Sequence, residues 1–415
     1  TARVRYAYNK VLTEQFIESW DKQVYQWCET NHLLYIGEKP ILRSSQLQYV
    51  HVPGIDAGHQ KIGSRAEVIS AKYRANGKIV SSAAYFYKKP AALCEVFHSI
   101  GWGMTLQDAK WIFDWLTVTG IDWFITHGAY YTSDGLKKHD APPSFFYQMP
   151  WWKNTWRLSR YTERLNRFLM EGERKVSVLL LDPVTSTWTE TGDRQRKLKR
   201  DFAAFQNELL RQGVDYYIMD PQLFAQKDVT EACGKAYLES CGHRYEIVVL
   251  PFMTNLEPEA VEKLKEYGEK GGMVLAAGTV PFRNLEGPAY EDWMREHSGT
   301  CPREIYEAYF AGEGLGEKGK GYKGTWKGRF FAAVDYREAV EELKRLDREK
   351  RTWQITAPEE AHILQVQRTS PEGREELFLA NAEGTSRRVE IVWGNRRVIK
   401  ELAGGEICGE PFDFY

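Results

Sequence analysis

The chain has 415 residues, 43% of them apolar and 27% charged, and 56 basic against 57 acidic side chains leave a formal net charge of -1. That length exceeds one ordinary core and predicts two or three domains. The even charge excludes the broad basic footprint of a nucleic-acid binder or a protein held on an anionic membrane.

Residues 1–31 read as one amphipathic helix, with Tyr6, Val11, Leu12, Phe16, Ile17, Trp20, Val24, Tyr25 and Trp27 recurring mostly at three- and four-residue steps. A short apolar strand at Leu33–Ile36 ends on Gly37-Glu38, and a second at Tyr49–Pro53 runs out at Gly54-Ile55-Asp56. A helical segment around 64–87 leads into the strand that carries Glu95. A helix over about 105–119 opens on Thr105 with Asp108 three residues on, close to a capping box. The strand Ile121–Thr126 ends at His127, before Gly128-Ala129-Tyr130-Tyr131. The aromatic stretch Pro142–Tyr147 with Trp151-Trp152 precedes a helix over about 153–171. Strand alternates with helix, as in the βα units of a parallel barrel. About four strands are countable where a closed barrel has eight, so the expectation is the C-terminal half of a (β/α)8 barrel over 1–172.

Continuous apolar strands then recur at Lys175–Pro183, Asp215–Met219, Ile247–Pro251 and Met273–Ala277, with helices such as Glu259–Tyr267 between them. That pattern predicts a doubly wound α/β sheet over 173–300, buried on both faces. Residues 301–415 read as a linker, with an exposed Gly/Lys-rich loop at 312–328, followed by a small β-sandwich with strands at 376–379 and 389–393. No repeat recurs along the chain.

The six cysteines, Cys28, Cys94, Cys233, Cys241, Cys301 and Cys408, show no CxxC or metal-ligand spacing. They predict free thiols in a reducing, cytoplasmic setting. No apolar run reaches about 18 residues, and no signal-like start is visible, so neither a membrane span nor secretion is expected. His51, His59, His127 and His139 make no metal set, and no cofactor is expected. Amidotransferase chemistry would need a cysteine on a strand-to-helix elbow, which is not found: Met273–Ala277 runs into Gly278-Thr279-Val280, and Cys233 and Cys241 read as helix or loop. No G-x-G-x-x-G supports nucleotide binding.

The densest chemistry lies at Leu93-Cys94-Glu95-Val96-Phe97-His98-Ser99-Ile100-Gly101-Trp102. An apolar strand ending on a carboxylate, followed by an imidazole, a glycine and an indole, is how a barrel strand presents a catalytic acid at its C-terminal face. Aromatics are abundant, 14 Trp and 23 Tyr, and ring faces can cover the C–H faces of a sugar. Glu95 reads as a nucleophilic carboxylate, against the plainer reading of a rim glutamate in a surface ion pair. Glu38 is the other glutamate at a strand exit, for substrate binding, loop pinning or the acid role. Asp56 reads equally as a contact to sugar hydroxyls or as a turn residue. His98 could hydrogen-bond the carboxylate. His127 reads as a sugar contact or a satisfied core histidine, and Trp102, Tyr130 and Tyr131 as a stacking platform. Trp111, Phe113 and Trp115 share a helix and read as packing, as do Trp151, Trp152 and Trp156, in core or domain interface.

The segments Leu93–Trp102, Trp111–Trp115, His127–Tyr131 and Pro142–Tyr147 with Trp151-Trp152 resemble the C-terminal half of bacterial TIM-barrel glycosidases, the glycosyl hydrolases or α-L-rhamnosidases. The domain order resembles β-galactosidases whose barrel is followed by a class I amidotransferase-like domain used for trimerisation. The resemblance implies a retaining glycoside hydrolase acting on oligosaccharides or plant-polysaccharide-derived glycosides, with Glu95 as nucleophile at the seventh barrel strand, the eighth ending at His127. It implies a general acid/base before Thr1 and a homo-oligomer. The alternative is a non-catalytic carbohydrate-binding or assembly fragment.

Overall fold

The computed structural model describes residues 1–38, 41–56, 77–312, 322–324 and 329–410. Its first sheet is four-stranded and parallel, in the order β1 (Ile36–Glu38), β2 (Val52–Asp56), β3 (Leu93–Val96) and β4 (Trp123–Thr126). The second and fourth of these run two to three residues beyond their expected starts, because Ser44–Tyr49 forms a 3-10 turn and Ile121 is a buried lead-in. Alternation along each strand divides the sheet into two faces. On one, Ile55, Cys94, Val96 and Phe124 join a core with Ile79, Val80 and Ala83 of the helix Gly77–Phe86 and Ile112, Phe113 and Leu116 of the helix Leu106–Val118. The other face carries Ile36, Glu38, Asp56, Glu95, Trp123 and Ile125, by register. The part of the expected 64–87 helix before Gly77 lies outside the described residues.

The N-terminal helix is not continuous. A π turn at Ile17–Asp21 divides Ala2–Phe16 from Lys22–Thr30. It carries Asp21, wholly buried, whose carboxylate accepts from Gln46 Nε2 at 3.1 Å. Of the predicted inner face, Tyr6 is buried, whereas Val11, Leu12, Trp20 and Trp27 are exposed. Periodicity identifies an apolar stripe but not whether anything covers it. The capping box at Thr105 is present: its hydroxyl accepts from Asp108 N at 3.1 Å, and Asp108 accepts from Thr105 N at 2.9 Å.

The second sheet contains β6 (Val178–Leu181), β7 (Tyr216–Met219), β11 (Ile247–Pro251), β12 (Met273–Ala277), β13 (Tyr322–Gly324) and β14 (Phe330–Ala333). Its order is β13-β14-β12-β11-β6-β7, parallel except for β13. The parallel strands thus follow the flavodoxin-like order 2-1-3-4-5, and both faces are buried. The sheet draws in β14 and the helix Tyr336–Arg348, well past residue 300, and β13 lies inside the stretch expected to be loop. Residues 228–245, where no strand was expected, form an antiparallel sheet of β8 (Asp228–Ala232), β9 (Lys235–Ser240) and β10 (His243–Tyr245), and the helix or loop position expected for Cys233 and Cys241 is a turn between its strands. Both cysteines sit in its turns with positive φ.

The C-terminal strands pack as two antiparallel sheets around Trp353, Ile363, Leu377, Leu379, Val389, Ile391 and Leu402. One sheet recruits β5 (Glu173–Arg174), which pairs with the strand Ile363–Thr369. All six cysteines are free thiols. Trp111, Phe113 and Trp115 are buried as expected, and Trp151 packs against the core, but Trp156 is half exposed beside Arg157 and Arg160. No helix among the described residues is long and apolar enough to cross a membrane.

Candidate active site

Three carboxylates converge where the first sheet ends. Glu38 closes β1, Asp56 closes β2, and Glu95 stands directly beside Asp56 in the β2–β3 ladder. Their positions share one face, so Glu95 is directed away from the helix layer and onto the sheet's inner side. Glu95 and Asp56 are half-buried, and Glu38 is more open. Partial desolvation first, then the negative charges of Asp56 and Glu95, hold the Glu38 carboxyl above the ordinary glutamate range. Beneath the carboxylates, Ile36, Trp123 and Ile125 leave an apolar surface open.

The chain after Glu95 is shaped by Phe97. This residue is buried yet has φ +74, a conformation that costs a bulky side chain of the order of 1–3 kcal/mol. Its ring is clamped between Phe113 and Phe145, with centroids 5.2 and 4.8 Å away. That anchor turns His98 and Ser99 outward to the rim. Gly101, φ +112, donates its N–H to Pro142 O at 2.9 Å, and Trp102 Nε1 donates to Lys138 O at 2.6 Å.

The exit of β4 is built against the same loop. The His127-Gly128 peptide is cis, and Phe145 N donates to Gly128 O at 2.8 Å. Ser144, wholly buried, accepts from Tyr130 N at 3.0 Å and donates to Gln148 Oε1 at 2.9 Å; Gln148 Nε2 donates in turn to Tyr130 O at 2.7 Å. His98 and His127 therefore meet with ring centroids 4.7 Å apart and nearly perpendicular planes. Tyr130 lies 6.4 Å from His127 and 6.1 Å from Trp102. His127 Nδ1 is buried without a hydrogen-bond partner, a polar group for which a ligand hydroxyl is a natural complement. The Asp140 carboxyl is held below the usual range by Lys137 first and also by His127 and His98.

Sequence reasoning picked out eight residues. The fold brings Glu38, Asp56 and Glu95 together as carboxylates, and His98, Trp102, His127 and Tyr130 together as rings. Tyr131 is set apart, with its side chain 92% exposed and only its carbonyl engaged, by Tyr147 Oη at 3.0 Å. The reading missed Phe97, Ser144 and Gln148, which hold the loops rather than face a ligand. A buried serine between paired prolines and phenylalanines was the available signal for Ser144. Among the described residues no group of three or more His, Cys, Asp or Glu is arranged to hold a metal ion.

The second sheet has its own crevice, at the carboxyl ends of β6 and β11 where the strand order reverses. The elbow after β11 holds Phe252, wholly buried with φ +52, and β12 runs into Gly278-Thr279-Val280, so neither of these strand exits carries a cysteine. The neighbouring strand ends hold a residue of the β1–β2 connection. Arg43 is buried and gives Nε and Nη2 to Asp220 at 2.8 and 2.6 Å, and Nη1 and Nη2 to Glu257 at 2.7 and 2.8 Å. Ser44 Oγ donates to Asp182 at 3.3 Å. These carboxylates hold the Arg43 guanidinium well above its ordinary pKa despite its burial. The crevice serves as a socket for the first sheet.

No protein-family model and no curated protein matches this sequence. Solved structures do match it. The chain is similar to a rhamnosidase from Novosphingobium sp. PP1Y, at 15% identity and TM-score 0.63, over 97% of this chain and 39% of that one. It is similar to Gan42B, a GH42 β-galactosidase from G. stearothermophilus, at 10% identity and TM-score 0.67, over 98% and 68% of the two chains. A β-galactosidase from the haloarchaeon Halorubrum lacusprofundi matches at 12% identity and TM-score 0.60, over 98% and 68%. At such identities the likeness is one of fold, of the glycoside-hydrolase TIM-barrel type. The chain spans well under half of the rhamnosidase's length.

Proposed function

We propose that this chain is the C-terminal portion of a retaining O-glycoside hydrolase, its first sheet supplying the last four strands of a (β/α)8 barrel. The observation that carries the reading is the position of Glu95: on the inner face, at the carboxyl rim, beside Asp56, with His98 and His127 on the loops that follow. The fold likeness to a rhamnosidase and to β-galactosidases supports it.

In this mechanism the ionised Glu95 attacks the anomeric carbon and displaces the leaving oxygen, giving a glycosyl ester. A second carboxylic acid protonates that oxygen, then deprotonates the water that cleaves the ester. That acid comes from the barrel strand flanking β1, outside these 415 residues. Glu38, on the adjacent strand, has its pKa raised by partial burial and by the charges of Asp56 and Glu95, and contacts a sugar hydroxyl. His127 Nδ1 and Asp56 fix ring hydroxyls, and Trp102 and Tyr130 present faces for stacking. The α/β domain orients the barrel through the Arg43 socket and supports assembly into a homo-oligomer.

The test is hydrolysis of aryl β-galactoside, β-glucoside and α-L-rhamnoside by the longest natural form of the polypeptide, compared with Glu95→Gln. A loss of well over tenfold is expected for a nucleophile. Sugar binding without turnover in the unsubstituted protein would favour a carbohydrate-binding role instead.

A further inference from the structure

The helix Thr155–Met170 carries Arg157, Arg160, Arg164 and Arg167 against a single glutamate, Glu163. Arg167 pairs with Glu163 at 3.2 Å, and Arg164 lines a groove beside Lys400, Glu401 and Glu406 of the C-terminal strands. Arg157 and Arg160 are exposed and form no ion pair among the described residues. They stand instead over the ring of Trp156, with Cζ 5.1 and 5.9 Å from its centroid, and Trp156 is itself 50% exposed. Stacking uses the flat face of a guanidinium and leaves its in-plane N–H donors for an anion. Lys153, exposed as well, precedes Arg157 by one turn.

This basic turn continues a row of open rings. Trp152 lies four residues before Trp156 in an unbroken helical run, which sets the two on one side of it. Phe146 packs against Trp152 and Tyr147, with centroids 5.6 and 5.0 Å apart, yet Phe146 is 40% and Tyr147 54% exposed. Tyr147 Oη donates to Tyr131 O at 3.0 Å, so the row reaches the loop that carries His127 and Tyr130. Its base is fixed to the Glu95 loop, because Trp151 packs on Phe145 at 5.0 Å and Phe145 on Phe97 at 4.8 Å. Open rings suit the faces of sugars, and unpaired guanidiniums beside them suit carboxylates. Continuity with the rim of the proposed sugar site favours a glycan over an acidic protein segment as the occupant.

We propose that this surface binds an acidic oligosaccharide, a uronate-bearing stretch of substrate that extends outward from the Glu95 rim. Phe146, Tyr147 and Trp152 cover sugar faces, and Arg157 and Arg160 pair with the ring carboxylates. The choice of a glycan rests on the glycosidase reading, whereas the binding itself needs no turnover.

The experiment is titration calorimetry of the longest natural form of the polypeptide with short galacturonate oligomers at fixed ionic strength. Galactose oligomers of equal length, a sulfated galactose oligomer and poly-L-glutamate are the parallel arms. Saturable binding of the galacturonate oligomer is expected, tighter than any other arm and retained in Glu95→Gln. Arg157→Gln/Arg160→Gln, at two exposed positions, should weaken it roughly a hundredfold, about tenfold for each lost charge-assisted contact, and leave the neutral oligomer unaffected. No saturable binding, equal or tighter binding in any parallel arm, or an affinity unmoved in the double variant would overturn the proposal. Intact binding by a protein that cleaves no glycoside would count against the catalytic reading alone.

Discussion

Arg43 to methionine is the sharpest perturbation of the assembly. The substitution keeps an unbranched apolar stem but removes four charge-assisted hydrogen bonds to Asp220 and Glu257. Both carboxylates are at most 5% exposed, so solvent cannot replace the guanidinium. Breaking a buried pair in this way leaves uncompensated charge and costs about 3–5 kcal/mol, or roughly two to four powers of ten in the unfolding equilibrium. Urea unfolding of the intact chain, followed by tryptophan fluorescence, measures it. The triple variant Arg43→Met/Asp220→Asn/Glu257→Gln removes the stranded charges and should recover much of the loss. As a control, Glu163→Gln at an exposed pair with Arg167 should change stability by less than about 1 kcal/mol. A loss below about 1 kcal/mol for Arg43→Met, or no recovery in the triple variant, would refute the socket argument.

Glu38 makes stability depend on pH. Its folded pKa is raised, so the folded state binds more protons than the unfolded one between the ordinary glutamate pKa and the raised value, and stability falls as pH climbs through that window. Glu38→Gln should flatten this part of the profile and be the more stable protein above it; an unchanged profile would contradict the crowding of Glu38 by Asp56 and Glu95. Trp111→Phe deletes the buried donor to Ala382 O at 2.8 Å and should cost about 1–3 kcal/mol by the same unfolding assay. Under native conditions a thiol reagent should modify exposed Cys233 fastest and spare Cys28, Cys94 and Cys408 until unfolding.

The rim carboxylates were legible because an apolar run that ends on a charge is a local signal, and Glu38, Asp56 and Glu95 each carry it. The α/β sheet was legible for the same reason, since Val178–Leu181 and Ile247–Pro251 are apolar at every position. Contacts made across long separations were not. Arg43 finds Asp220 and Glu257 177 and 214 residues away, and nothing around it marks it as more than a surface basic residue. The meeting of His98 with His127 depends on Phe97 closing against Phe145, and Tyr131 differs from Tyr130 only in where that loop turns. The antiparallel sheet at 228–245 was missed although Ala236, Leu238 and Ser240 alternate inward, because the glycines and cysteines between its strands resemble loop.

The most direct measurement is covalent trapping. The longest natural form of the polypeptide would be incubated with 2-deoxy-2-fluoro glycosides bearing a good leaving group, in the galacto, gluco and rhamno series, then digested and mapped by mass spectrometry. A stable sugar adduct on the peptide carrying Glu95, absent from Glu95→Gln, is the result predicted. An adduct on another carboxylate, or full turnover by Glu95→Gln, would contradict the assignment of Glu95 as nucleophile.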